Sequence, residues 1–404
     1  MKTYPLLQSQ MGIFLEWMGE PSATRYNLPC FLSFSKKISA EQLEVALLKL
    51  IKSRRVLQTR IFIDENGNPR QYSDSNLEVG VLRKEMSDEE LTNYKLKGFV
   101  RPYDLLSGEP LCRFEIIETP TQNAMFFELH HIIGDGLTLA PNITLNDFPK
   151  AFYGEELPEI PFGMYEYAES EEENMESDAY VKAKQYYAEK FAGMNFTSLG
   201  QLPADCTGNS IHEDAYIPAV TIDDWCKENG TQSNLLFMAA FSFVSSIVSR
   251  EENVVFSSIN HGRMDKRLRN AYGMFVKSNP ILASITPDKR VIDFIKGFRM
   301  ELMSTIRYGA YPFSHFCRDL KMTPTIEFGF QGVAMQEYLE IEGEKIYAEQ
   351  LDRGKSSSNL TCIIYLDKGN YDIRLTASDA IFSREKLDML AKTIKNTTLN
   401  MMAN

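Results

Sequence analysis

The segment His130-His131-Ile132-Ile133-Gly134-Asp135-Gly136 closes an apolar run, Ala124 to Ile132, whose Phe, Leu and Met content suits a β-strand. Upstream, Leu111 to Glu118 reads as a second strand, and Thr119-Pro120-Thr121-Gln122-Asn123 supplies the turn between them. Successive side chains on a strand point to opposite faces, so His130 and His131 cannot share one ion, and no metal site is expected. One ring faces the core; the other lies where the strand meets the glycine-bearing turn Gly134-Asp135-Gly136. A neutral imidazole, with a reference pKa of about 6.5, can take a proton from an attacking amine or hydroxyl and hand it on. We assign that task to His131, whose spacing from Asp135 and Gly136 sets it apart. His130, His212, His261 and His315 read as hydrogen-bonded structural residues. Asp135, once buried, needs a cationic partner to offset its desolvation, so an arginine is expected beside it.

Outward from this segment the chain alternates strand and helix signals. Leu28 to Phe34 reads as a strand, and Ser39-Ala40-Glu41-Gln42 is a capping-box pattern that opens a helix with Leu43, Ala46, Leu47, Leu50 and Ile51 on one face. Val56 to Ile63 and Arg70 to Tyr72 form a hairpin around Glu65-Asn66-Gly67-Asn68. After the histidines, Thr138 to Tyr153 is helical in composition but carries Pro141 and Pro149, which predict an irregular helix. The acidic run Glu169 to Glu173 marks a solvated face and a lobe boundary near Glu173. Beyond it the same grammar returns: strand Asp214 to Val220, a helix from Thr221, an apolar helix Asn234 to Ser249 with Ser233 as its cap, and strand Asn253 to Ile259. Strands Leu360 to Tyr365 and Tyr371 to Ala377 and a helix from Ser383 to Met401 complete the chain. The fold class is α/β, of the α+β sandwich type, in two lobes, 1–173 and 174–404, with the duplication inferred from element order alone.

The bulk numbers bound the function. With 404 residues the chain has room for two cores, and 44% hydrophobic with 24% charged residues is a globular composition. A formal net charge of −12 without a Lys/Arg stripe argues against nucleic acid as a partner. The stretch Leu235 to Val248 is too short for a bilayer span and holds three serines, so it is expected as a core helix, with no membrane partner. The six cysteines lack Cys-x-x-Cys spacing, and with no signal peptide a reducing, cytoplasmic location is expected. No Gly-x-Ser-x-Gly elbow, phosphate loop or dinucleotide fingerprint is present.

His130-His131 through Asp135-Gly136 resembles the HHxxxDG signature of the condensation domains of nonribosomal peptide synthetases, of the chloramphenicol-acetyltransferase-like superfamily. The resemblance runs along nearly the whole chain. Pro5-Leu6-Leu7-Gln8-Ser9-Gln10, Leu57-Gln58-Thr59-Arg60, Tyr103-Asp104-Leu105 with Gly108-Glu109-Pro110-Leu111, Gly262-Arg263, Tyr272-Gly273-Met274-Phe275-Val276 and Tyr311-Pro312-Phe313 are similar to the family's other motifs in order. Lys277-Ser278, Tyr308-Gly309 and Asn359 depart from it where Asn-Thr, His-Gln and aspartate are usual.

The resemblance implies two acetyltransferase-like lobes in a V, a pseudo-dimer with a central tunnel, and a monomer. It implies Arg263 as the partner of Asp135, with His130, Asp135, Gly136 and Arg263 as support for catalytic His131, and Phe275, Ser278 and Tyr311 along the tunnel. The implied reaction is attack of an amine on a donor thioester. No cofactor is bound by the chain itself: phosphopantetheine arms of donor and acceptor carrier proteins, or of adjacent adenylation and carrier domains, reach His131. Two alternatives remain. One is an O- or N-acyltransferase using coenzyme A, for which Glu327-Phe328-Gly329-Phe330-Gln331-Gly332 resembles the Asp-Phe-Gly-Trp-Gly motif of plant-type enzymes. The other is a condensation-like module that only docks partners.

Overall fold

The computed structural model describes residues 2–200, 208–286, 288–332, 338–351 and 360–403. The chain divides into two compact units. The first takes Met1–Glu173 together with His261–Val276 and Met335–Arg353, and the second takes Asn174–Asn260, Lys277–Ala334 and Gly354–Asn404. Glu173 thus ends the leading stretch of the first unit, but two segments from the later half of the chain return to it. The split is therefore not a single cut into 1–173 and 174–404.

The first unit is built on a mixed five-stranded sheet, ordered Glu349–Gln350, Asn27–Ser35, Gln122–His130, Cys112–Glu118 and Val81–Glu85. The histidine strand is central: it runs antiparallel to both neighbours, and the edge strand Val81–Glu85 is parallel to Cys112–Glu118. Its residues from Asn123 to His130 are all buried, as expected of a strand covered on both faces. On one side the helix Ala40–Ser53 inserts Leu43, Ala46, Leu47, Leu50 and Ile51, opened by the expected capping box of Ser39 and Gln42. The hairpin Thr59–Ile63 with Pro69–Ser73 also forms, with Gly67 in the left-handed region at φ 81°. Val56, expected in the first of its strands, lies instead in a 3-10 turn, Arg55–Gln58.

After the histidine strand the chain turns through 131–135 and enters a helical run. Thr138–Asp147 is a π-helix, in which the N–H of Phe148 reaches back five residues to the Ile143 carbonyl, and Phe148–Phe152 is α-helical. Pro141, which has no N–H to give to an earlier carbonyl, falls within this irregular stretch, as the sequence led us to expect.

The second unit centres on a six-stranded sheet, ordered Lys277–Ser284, Asn253–Asn260, Ile326–Gln331, Leu360–Asp367, Asn370–Ser378 and Ser210–Pro218. Helices Ala219–Glu228, Ser233–Ser249, Val291–Arg307 and Arg384–Ala403 contribute to its main core. The apolar helix is a core element, with Leu235 to Ser242 wholly buried. Among the described residues no single helix is long and apolar enough to cross a membrane. The expected Ser233 cap is absent: Ser233 is the first helical residue, and Gln232 precedes it without a side-chain cap.

The acidic run is exposed at Glu172 and Glu173, as expected of a solvated face, and it also finds partners. It lies on a helix, Met164–Asn174, whose carboxylates are engaged within the first unit: Glu166 with Arg55 at 2.9 Å, Glu169 with Lys2 at 2.8 Å and Glu172 with Arg70 at 3.1 Å. Glu171 accepts the N–H of Gln8, the first residue of the helix Gln8–Gly19, at 2.7 Å. A negative charge there is favoured by the partial positive charge of a helix N-terminus. The run clasps the beginning of the chain instead of facing water alone.

Candidate active site

His130 ends the central strand opposite Asn27. Its ring is buried, edge-on to Tyr103 with centroids 5.5 Å apart, and Nδ1 accepts the backbone N–H of Ile132 at 3.2 Å. Burial, then His131 and Arg113, push its pKa down to about 3, so the ring stays neutral through the physiological range. Arg113 lies over the Tyr103 ring at 3.6 Å and pairs with buried Glu128 at 3.0 Å. His130 is a packed structural residue that helps turn the chain out of the strand.

His131 is the first residue beyond the strand, not a member of it as the apolar run to Ile132 implied. Its N–H donates to the Tyr26 carbonyl at 2.7 Å, and its ring stands edge-on to Tyr26 with centroids 6.3 Å apart. The residue is half-buried, so it is not sealed in hydrocarbon as His130 is.

Asp135 is fully buried and its carboxylate is saturated with donors. Nη1 and Nη2 of Arg263 reach Oδ2 and Oδ1 at 2.7 and 2.9 Å, the Thr138 N–H reaches Oδ1 at 2.9 Å, and the Phe275 N–H reaches Oδ2 at 3.1 Å. Arg263 is equally buried and also donates to the carbonyls of His261 and Ala271 and to Thr138 Oγ1, each at 3.2 Å. Dense hydrogen bonding of this kind offsets the desolvation of a buried ion pair, several kcal/mol per ion, although Arg263 Nε finds no partner among the described residues. The structure thus brings Asp135 and Arg263 together across 128 residues of sequence.

The glycines of the motif do not act through positive φ, which occurs instead at Gly262 (65°) and Gly273 (149°) on the arginine side. At Gly134 a Cβ would stand 3.2 Å from Leu129 and Thr138, whereas at Gly136, which is exposed, it would meet nothing within 4 Å. At Gly273 a Cβ would lie 2.7 Å from that of Met164, so only glycine fits. Thr138 completes this joint: its Oγ1 accepts the Gly273 N–H at 3.1 Å and donates to the Gly273 carbonyl at 3.0 Å.

Several supporting residues lie outside what the sequence pattern marked. Gln10, wholly buried, donates to the Ile132 carbonyl at 2.7 Å, tying the opening motif to the histidine turn. Ser9 Oγ donates to the Met274 carbonyl at 2.7 Å. In a second buried ion pair Arg54 donates to Asp147 at 2.5 Å, and Asp147 also accepts the Tyr272 hydroxyl, next to Gly273 of the first cluster. A buried polar residue is invisible to periodicity; the signal available was that Gln10 and Tyr272 stand inside recognisable motifs.

Of the residues implied along a tunnel, Phe275 is buried beneath the Arg263 guanidinium, 4.7 Å from its ring centroid, and serves Asp135 through its backbone. Ser278 lies half-buried in the second unit, paired with Ile259. Tyr311, also in the second unit, is buried, donating to Asp319 at 2.9 Å and the His315 carbonyl at 3.1 Å within an aromatic cluster that includes Tyr180 and Tyr187. Of the remaining histidines, His315 bonds Tyr180 at 2.9 Å, and His261, though exposed, accepts the Arg263 N–H at 3.0 Å. His212 is exposed on an edge strand, outside any core. Among the described residues no group of three or more His, Cys, Asp or Glu is placed to hold a metal ion. The cysteines other than Cys206, which lies outside the described residues, are free thiols.

The family model described as "Condensation domain" matches residues 1–404. Tyrocidine synthase 3 of Brevibacillus parabrevis is 25% identical over 96% of this chain, which covers 6% of that protein. Gramicidin S synthase 2 of Aneurinibacillus migulanus is 22% identical over 96% of this chain and 9% of its own length. The chain thus spans only a small part of the curated relatives it matches. Among solved structures, the starter condensation domain of rhizomide synthetase RzmA superposes with a TM-score of 0.84 at 18% identity, over 100% of this chain and 97% of that one. The first condensation domain of the calcium-dependent antibiotic synthetase, with a substrate analogue, gives 0.81 at 14% identity with the same coverage.

Proposed function

This chain belongs to the condensation-domain family, and from that premise we propose that it joins an acyl or aminoacyl group, held as a thioester on a carrier protein, to an amine, forming an amide. In the balanced step the amine nitrogen attacks the thioester carbonyl carbon, the carbon–sulfur bond breaks, and the thiol leaves with the proton that the nitrogen sheds. His131 holds the amine and takes that proton; holding reactant and base in register supplies much of the rate gain. The Asp135–Arg263 pair is structural: it fixes the turn from which His131 projects. Phosphopantetheine arms of carrier domains deliver the reactants.

The observation that carries this reading is the contrast between adjacent rings. His130 is buried and held neutral, while His131 is half-buried at a strand end with its backbone anchored to Tyr26. The test loads a carrier protein with an acyl or aminoacyl group and offers amine, alcohol and coenzyme A acceptors to the wild type and to His131→Ala. We expect amide product from the amine alone, and a loss of about 10²- to 10⁴-fold in kcat in the variant at unchanged melting temperature. Unchanged turnover would remove His131 from the chemistry, and product from coenzyme A or alcohol would reassign the acceptor.

A further inference from the structure

His131 lies just beyond its strand, so its place depends on what holds the peptide it bonds to, that between Tyr26 and Asn27. The carbonyl of this peptide accepts the His131 N–H at 2.7 Å, and its N–H, that of Asn27, donates to the Thr24 carbonyl at 2.9 Å. The Tyr26 ring stands edge-on to the imidazole. On the other side the peptide is held by the Asn27 side chain, which is wholly buried. Its Nδ2 donates to Glu128 Oε1 and to the Arg101 carbonyl, each at 2.9 Å. A carboxylate and a carbonyl are both acceptors, so the amide nitrogen must face them and the side chain has one orientation.

Both acceptors are fixed by one guanidinium. Arg113 donates to Glu128 Oε2 at 3.0 Å, to the Arg101 carbonyl at 2.7 Å and, through its other terminal nitrogen, to the Pro102 carbonyl at 2.7 Å. Such charge-assisted bonds are the strong ones, and they leave the Asn27 amide a rigid seat. Register places Arg113 opposite Glu128 and Asn27 opposite His130, so the contacts run from the sheet interior through Asn27 to the peptide beside His131. Strand pairing does not itself call for such an amide. In the second sheet the half-buried Ser210 stands opposite Ser378, and those two strands also pair over their whole length. The buried amide is present where the strand leads to an imidazole.

We propose that Asn27 is a positioning residue for His131: by gripping Glu128 and the Arg101 carbonyl it fixes the Tyr26–Asn27 peptide, and through that peptide the place of the imidazole. Its effect on rate rests on the amide-forming reading; its effect on the ring does not. The test makes Asn27→Ala, and Asn27→Ser, which keeps one donor in the same space and folds where alanine does not. Each is placed in the wild type and in His131→Ala and assayed with a carrier-borne thioester and an amine. In the wild-type background kcat is expected to fall by about 10- to 100-fold for alanine and less for serine, with KM changed by no more than about twofold. In the His131→Ala background the residual rate is expected to fall no further, because the group being positioned is already gone. The same factor of loss in both backgrounds, or no loss in either, overturns the proposal. NMR of the histidine rings reads the same role without turnover, the His131 signal being assigned by its absence from the His131→Ala spectrum. Asn27→Ala should move the His131 titration midpoint by about 0.3 pH unit or more and leave those of His212 and His315 in place. If the wild type turns over no substrate, the amide-forming reading fails and the spectrum alone decides: an unmoved His131 midpoint overturns the role of Asn27.

Discussion

In the first unit Asn27–Ser35 pairs over its whole length with Gln122–His130; in the second Ser210–Pro218 pairs over its whole length with Asn370–Ser378. The next strand is antiparallel and the one after it parallel in both. One residue beyond each central strand a further backbone bond forms, His131 N–H to Tyr26 at 2.7 Å and Asp379 N–H to Asn209 at 3.0 Å. Four residues later each unit caps a helix: Asp135 accepts from the Thr138 N–H at 2.9 Å, Ser383 from that of Lys386 at 3.3 Å. The backbone device is shared, so it cannot be what makes a site. What differs is the side chains. Where the first unit has a half-buried imidazole and a buried carboxylate paired with Arg263, the second has Asp379, whose carboxylate is taken by Asn209, and an exposed serine cap.

The largest expected effect breaks the comparison on the first side. Arg263→Ala leaves Asp135 buried without its counter-ion, and unfolding by denaturant should show a loss of about 3–5 kcal/mol. A variant that replaces both partners by apolar residues should recover part of that loss, since no charge is then stranded.

A smaller effect separates the units by pH. His130 is depressed from 6.5 to about 3, so its contribution is complete above pH 6.5 and is lost as pH falls through that window, because the unfolded chain takes up the proton first. Asp372 in the second unit is raised from 3.8 to about 6, chiefly by burial and then by Asp214, so its contribution is present below 3.8 and lost as pH rises to about 6. Melting temperatures between pH 4 and pH 7 should therefore fall less on acidification in His130→Asn than in wild type. Asp372→Asn should gain stability on the neutral side, and a parallel shift of either variant at all pH values would contradict the assignment.

The smallest effect sharpens the contrast between caps. Ser383→Ala removes one exposed hydroxyl bond and should cost about 0.5–1 kcal/mol in the same denaturation measurement, several-fold less than disruption of the buried pair.

Much of the first unit's framework was legible locally. Ser39 and Gln42 announce a helix because a capping box satisfies its own donors within four residues, and the alternation around Asn66-Gly67 announces a hairpin for the same reason. The helix Asp88–Lys97 carries the same kind of signal in its Ser87–Glu90 box, which the sequence expectation left out. The need for an arginine beside Asp135 was also legible, because burying a carboxylate without a cation is forbidden on energetic grounds alone. The π-helix, the tie from Gln10 to Ile132 and the Arg54–Asp147–Tyr272 cluster were not, since each depends on which distant segment arrives to complete it. The acidic run shows the limit most plainly: composition marks a solvated face, which it is at Glu172 and Glu173, but only the fold shows Glu169, Glu171 and Glu172 reaching Lys2, Gln8 and Arg70.

The amino-acid order by itself determined the strands and helices, the histidine pair at a strand end and the requirement for a counter-charge, because these follow from interactions within a few residues or from the cost of an unpaired ion. Tertiary structure alone decided that His261–Val276 folds back into the first unit, that His130 is sealed and neutral while His131 is half-buried, and that the second unit repeats the backbone device without its chemistry. Burial and long-range pairing set those outcomes, and both are properties of the packed chain that no local window contains.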